Sequence, residues 1–362
     1  MCMCGRMRSK EEIFGPELTR QEALRIIMET PGMYAWYMTL SQHLKEEFLE
    51  FLMGTRGLNL TYDPMFKAVF DPQQFPSRLE DFLSLCLGEK AEILSALPNE
   101  SSRLTEEGSL LVMDLLVRLK SGALVNVEIQ KIGYLFPGQR CACYSSDLVM
   151  RQYAQVRDSC RKENQTFSYR QIRKVYTIVL IQNSTPEFHQ FPGKYLHRAR
   201  QQFDTGLQLD MVQEYLLIPL DIFLESQHNI SNRLDAWLML IASDRPEQIL
   251  KVIRAYPEFE EIYRQVFGFR RQVKELMNMF SDALKILDAN TTKYMIEQQK
   301  EKIEEQNVKI GQQSVRIEEQ NAKIGQQTVK IESQNAEIEL LKKANKEQEE
   351  KIERLQALLA SK

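Results

Sequence analysis

Two carboxylates and an amide fall on one face of the segment 110–130, LLVMDLLVRLKSGALVNVEIQ. Lys120, Ser121 and Gly122 suit a three-residue hairpin loop in which Gly122 takes the left-handed position that closes a type I turn with a bulge. That loop pairs Leu119 with Ala123. Counting back along both strands sets Asp114 opposite Glu128, and Gln130 follows two residues on, on the same face. Met113, Leu115 and Val117 fall on the other face with Val125, Val127 and Ile129. Directly opposed residues hold their Cβ atoms about 4.5 to 5.5 Å apart, so both carboxylates reach one divalent ion. Without a cation they repel, and one is driven toward its protonated form. Val112, Leu116 and Leu124 make even the polar face largely apolar, which raises the cost of unpaired charge there. The plainer alternative is a pair of acids on the wet side of a hairpin, screened by solvent.

Asp114 followed by Glu128-Ile129-Gln130 resembles the PD-(D/E)XK nuclease signature, in the E-x-Q form of the Rpn-type recombination-promoting nucleases, a family also described as transposases. Asp63-Pro-Met-Phe66-Lys67-Ala-Val-Phe70 is similar to the D-x-x-F-K-x-x-F segment that precedes the catalytic strands in that family. Arg140 and Tyr144 match its R-x-x-x-Y helix, and Gln152 its later glutamine. Val175 to Ile181 resembles the next core strand, and Met279 to Ile296 the stretch that often ends the globular part, so the likeness spans roughly residues 58 to 296. It implies Mg²⁺ held by Asp114 and Glu128, with Gln130 in place of the usual lysine and Asp63 as an outer carboxylate. It also implies DNA contacts from Lys67, Arg140, Tyr144 and Gln152.

The elements that must position these residues read as an α/β fold. Glu17 to Thr30 and Tyr37 to Met53 are amphipathic and predict a helical lead-in over residues 1–57, broken by Gly54 to Gly57. Within 58–230, the expected nuclease-like core, Asp63 to Phe70 and Leu79 to Leu87 read as helices, Ile93 to Leu97 as a strand, and Tyr144 to Arg161 as a helix. Val175 to Ile181 and Tyr215 to Leu220 read as further strands. Residues 231–295 turn helical, with Trp237, Leu238 and Ile241 followed by Ile249, Val252 and Ile253. Helices mixed with a few strands in this order indicate an α/β sandwich.

From 296 to 362 the chain becomes a repeat. Ile303, Ile310, Ile317, Ile324, Ile331 and Ile338 recur every seven residues, Ile352 continues the frame, and residues 303–316 are nearly copied at 317–330. A sustained seven-residue apolar period predicts a coiled coil. With isoleucine at a, the d positions hold Gln306, Gln313, Gln320, Gln327 and Gln334, and only Leu341 and Leu355 restore an apolar pair. Polar seam residues restrict partner choice, so the tail is expected to assemble with its own copy or a close relative. Gly311 and Gly325 weaken each helix by about 1 kcal/mol relative to alanine.

Composition bounds the remaining classes. The chain of 362 residues, 43% hydrophobic and 27% charged, can bury a core, and its net charge of −3 exerts no overall pull on nucleic acid. Charge is distributed unevenly, however: residues 140–200 carry eleven Lys or Arg against four acids, a basic segment suited to phosphates just after the acidic hairpin. Six cysteines show no framework spacing and none pairs with a histidine at zinc-ligand spacing. Free thiols, the lack of a signal-peptide core and the lack of an apolar run long enough for a span point to a cytoplasmic protein with no membrane partner. The function expected is an Mg²⁺-dependent DNA endonuclease of the PD-(D/E)XK type, implied in recombination or transposon-related DNA processing. The alternative is a catalytically inactive relative that serves as a DNA-binding or coiled-coil assembly module.

Overall fold

Gly122 adopts φ +88°, its N–H donates to the carbonyl of Leu119, and Leu119 N–H donates to the carbonyl of Ala123 at 2.9 Å. The hairpin therefore closes in the loop the spacing predicts. In this computed structural model the described residues are 13, 15–58, 60–97, 114–132, 138–226, 229–270 and 272–360. Strand β2 (Leu115–Leu119) pairs antiparallel with β3 (Leu124–Ile132) in the expected register, Leu115 against Val127 and Arg118 against Leu124. Positions 110–113 of the expected first strand, Leu110 to Met113 with Val112, lie outside the described residues.

A six-stranded mixed sheet forms around this hairpin, in the order β1-β2-β3-β4-β6-β5. Its other members are β1 (Ile93–Ala96), β4 (Val175–Asn183), β5 (His197–Arg200) and β6 (Gln213–Pro219). β3, β4 and β6 run parallel, while β1 and β5 close the two edges antiparallel. Strands buried on both faces read as continuous apolar runs, as Val175 to Ile181 does, with all seven residues buried.

The two faces meet different partners. Leu115, Val117, Val125, Val127, Ile129, Ile178 and Leu180 point into the main core. Helices α1 (Arg20–Glu29), α2 (Met33–Thr39), α3 (Gln42–Met53), α4 (Asp63–Val69) and α5 (Pro76–Leu87) contribute buried side chains to it. From the other side of the sequence come α8 (Leu220–Ser226), α9 (Arg233–Ala242), α10 (Pro246–Ala255) and α11 (Phe259–Gly268), which follow the short α7 (Pro186–His189). The opposite face carries Leu116, Leu124, Val175, Val179 and Ile181, and packs on Cys141, Tyr144 and Leu148. These belong to α6 (Gly138–Lys162), whose buried positions 141, 144, 145, 148 and 152 repeat at helical spacing. The polar face of the hairpin is thus roofed by a helix, not wet.

Residues 1–290 form one compact unit and 291–362 a second. In the first, the flanking helical segments share one core with the sheet, as where Phe48 of α3 meets Phe280 edge-on at 5.3 Å. Helix α12 (Val273–Ala360) starts in that unit with buried Leu276 and Phe280 and makes up the described part of the second. The expected helix 37–53 is two helices, because Leu40 is extended and Ser41 caps α3 through the Leu44 N–H. Edge strand β5, sequence HRAR, carries no strand signal, since it lacks β-branched and aromatic residues. No helix of the described residues is long and apolar enough to cross a membrane.

Candidate active site

Asp114 sits one residue before β2, where the ladder ends, and Glu128 lies in the middle of β3, directly across from it. Both are buried, at 7% and 1% exposure, and they interlock through the backbone. The N–H of Asp114 donates to Glu128 Oε1 at 3.3 Å, and the N–H of Ile129 donates to Asp114 Oδ2 at 2.8 Å. Alternation brings Asn126 and Gln130 to the same face of β3. Asn126 Nδ2 donates to Glu128 Oε1 at 2.9 Å. Gln130 makes no side-chain hydrogen bond among the described residues, so its amide is available at the edge of the pair.

Burial first, and then the negative charge of Asp114, push the Glu128 carboxyl well above the ordinary 4.5; the Asn126 bond and the charge of Arg140 act the other way. Its influence reaches the roof helix, where burial and Glu128 together push the Cys141 thiol up to about 12. Tyr144 is raised by the same two causes in the same order.

Cations approach from two elements. Lys67 on α4 places Nζ 3.4 Å from Asp114 Oδ1. The helix is anchored so that it can do this: Met65, Phe66, Val69 and Phe70 are buried, and the Phe66 and Phe70 rings stack obliquely at 4.8 Å. Thr61 just before it donates to Gln182 Oε1 of β4 at 2.7 Å, and Lys131 Nζ lies 3.1 Å from the centroid of the Tyr62 ring. Arg140 on the first turn of α6 donates from Nη2 to the Tyr144 hydroxyl at 2.9 Å, the i,i+4 contact that R-x-x-x-Y implies.

The structure therefore assembles Asp114, Glu128, Gln130, Lys67, Arg140 and Tyr144 around one end of the β2–β3 pair. Tyr144 is buried at 1% exposure, and its hydroxyl accepts from the Arg140 guanidinium. Gln152 is elsewhere. Its buried amide accepts from the Arg173 N–H at 2.8 Å and donates to the Arg173 carbonyl at 3.2 Å, so it fastens α6 to the start of β4. Asp63 opens α4, and its side chain lies outside the described residues. Asn126 is a site residue to which the sequence reading assigns no role; its signal is the spacing 126, 128, 130 on one strand face. The basic segment is partly spent internally, with Arg151 bonded to Asp147 and Lys174 to Glu214.

A fold of this kind, with a buried acid pair at the junction of an antiparallel and a parallel strand pair, defines a nuclease-like α/β core. The sequence matches the family described as PD-(D/E)XK nuclease family transposase over residues 60–308, and the chain belongs to that family. No curated protein and no solved structure matches it.

Would these residues suit a divalent metal? Among the described residues no cluster of three or more His, Cys, Asp or Glu side chains forms; the acids they bring together here are Asp114 and Glu128, with the carboxamides of Asn126 and Gln130 on the same strand face. Mg²⁺ is commonly held by one or two carboxylates while keeping waters and substrate phosphate oxygens. The energetic strain also fits, because a buried acid pair of like charge is relieved by a cation.

Proposed function

We propose that this protein is an Mg²⁺-dependent DNA endonuclease. The observation that carries the reading is the interlocked pair Asp114 and Glu128: two buried acids held face to face at a cost that solvent does not offset, with an uncommitted amide and two cations at their margin. Asp114 and Glu128 would hold the metal. When bound, Mg²⁺ supplies positive charge to the scissile phosphate and lowers the pKa of a water. Gln130 orients that water by hydrogen bonding but, unlike lysine, adds no charge. Lys67 compensates for this from another element: its ammonium beside Asp114 neutralises part of the acid pair and faces an incoming phosphate. Arg140, steadied by Tyr144, offers the planar guanidinium suited to phosphate oxygens. Recombination or transposon-related processing is the biological setting this chemistry serves.

The C-terminal helix supplies the second part of the proposal, a homo-oligomer joined through a coiled coil. A second reading, a catalytically inactive DNA-binding or assembly module, draws on the glutamine at position 130. One experiment separates them. Purified protein is incubated with supercoiled plasmid, with and without Mg²⁺, beside Asp114→Asn. Nicking that requires both the metal and the aspartate supports the enzyme; the absence of nicking by the parent protein, with DNA binding retained, supports the module.

A further inference from the structure

The heptads of α12 carry more information than the propensity to assemble. We infer that this helix pairs with a second copy as a parallel, in-register, two-stranded coiled coil whose register is locked by Asn345; the inference rests on the coiled-coil reading above. The seam is unpartnered in the single chain. From Ile303 to Leu355 its isoleucines and leucines at a and d are between 47 and 61% exposed, an apolar line at the spacing that a second helix of the same period covers.

Direction follows from the glutamines. In a parallel pair a residues meet a residues and d residues meet d residues, so Gln306, Gln313, Gln320, Gln327 and Gln334 each face their own copy. Two facing glutamines satisfy each other, one amide N–H to the other carbonyl. An antiparallel pair instead sets a against d. Each glutamine would then be pressed against an isoleucine and its amide buried without a partner, in layer after layer.

The flanking charges agree. With isoleucine at a, Lys309, Arg316, Lys323 and Lys330 occupy g, and in a parallel pair they face Ser314, Asn321, Thr328 and Asn335 at e of the other copy. No like charges meet in these four layers. Glu337 at the next g faces Lys342 of the other helix, a lysine that in the single chain reaches Glu339 at 2.9 Å.

Register is the harder problem, because near-identical fourteen-residue units at 303–316 and 317–330 permit a slip of one unit at little cost. The aperiodic end decides it. Seven residues after Ile338 the a position is Asn345, and seven later it returns to Ile352. In register, Asn345 meets its own copy. A slip of seven places it against Ile338 or Ile352, and a slip of fourteen against Ile331, in each case burying an amide on an apolar neighbour. Isoleucine at a with leucine at d favours two strands, a pairing this chain carries at Leu341 and Leu355, on either side of Asn345.

The test uses the full-length chain carrying Gln306→Cys, oxidised, with disulfides located by peptide mapping and mass measured by light scattering. A two-chain mass, with a disulfide joining position 306 of one chain to position 306 of the other, is the expected result. A two-chain mass without that link would overturn the direction and register while leaving the coiled coil standing. A four-chain mass would overturn the strand number, and would implicate Val308, Val315 and Val329 on the outer side of the helix. A one-chain mass would remove the coiled-coil reading itself. Asn345→Ile in the Gln306→Cys chain provides the second arm: it is expected to raise the unfolding temperature of the helix and to lower the yield of the disulfide between the two copies of position 306, as slipped pairs form. An unchanged yield of that link in the variant would overturn the lock.

Discussion

The backbone N–H of Ile129 donates to Asp114 Oδ2 at 2.8 Å, just beyond the paired residues Leu115 and Val127 of β2 and β3. One carboxylate therefore serves both the site and the end of the hairpin.

Substitution should separate these two uses. Asp114→Asn keeps an oxygen for the Ile129 N–H, and is expected to abolish cleavage with little loss of stability. Asp114→Ala leaves that buried N–H unpaired and should lower stability by about 1 to 3 kcal/mol as well. Plasmid nicking and thermal unfolding of the two variants side by side check this. Equal stability of the two would show that the bond is energetically idle.

Glu128→Gln retains an acceptor for both Asp114 N–H and Asn126 Nδ2 while removing the charge. Because the folded-state pKa of Glu128 is raised, its favourable contribution is fully present below the ordinary value of 4.5 and is lost as pH rises through the raised value. The variant should thus match the parent in acid and exceed it in stability at neutral pH, without metal. At the proposed metal site Mg²⁺ would displace the Glu128 proton, so Mg²⁺ affinity of the parent is expected to climb up to about tenfold per pH unit in that window. Unfolding and calorimetric titrations across pH test both statements.

Lys67 reaches the acid pair from α4, with its side chain 35% exposed. Lys67→Met is expected to reduce cleavage about ten- to a hundred-fold, equivalent to roughly 1.4 to 2.7 kcal/mol in the barrier, with the fold intact. Lys67→Arg should recover part of the loss. Wild-type rates in the methionine variant would dismiss the lysine from the reaction.

Gln152→Ala removes both bonds to Arg173 and should cost about 1 to 3 kcal/mol of stability without altering DNA affinity of the folded protein. Binding of labelled duplex at a temperature where both proteins are folded distinguishes this from a DNA contact.

How far the sequence can be read depends on the range of the interactions involved. The hairpin register is legible because a local turn with Gly122 and a strict alternation specify it within about twenty residues. That the polar face is covered is not, since α6 crosses it only after the chain leaves the sheet, and nothing in the spacing of 138–162 says which face it takes. The same limit hides the contact of the Lys67 ammonium with Asp114, delivered from 47 positions earlier in the chain. Gln152 shows the converse: a polar side chain at the right place in a motif can be consumed by the backbone of a neighbouring loop.

The Ile129–Asp114 bond has an evolutionary corollary. A lineage that stopped cutting DNA would still be penalised for losing an acceptor at position 114, so an aspartate or asparagine there would persist through folding alone. Position 128 is different, because glutamine would satisfy its two donors and avoid the buried charge. Among descendants of such a gene, drift from glutamate to glutamine at 128 should be the first mark of abandoned cleavage.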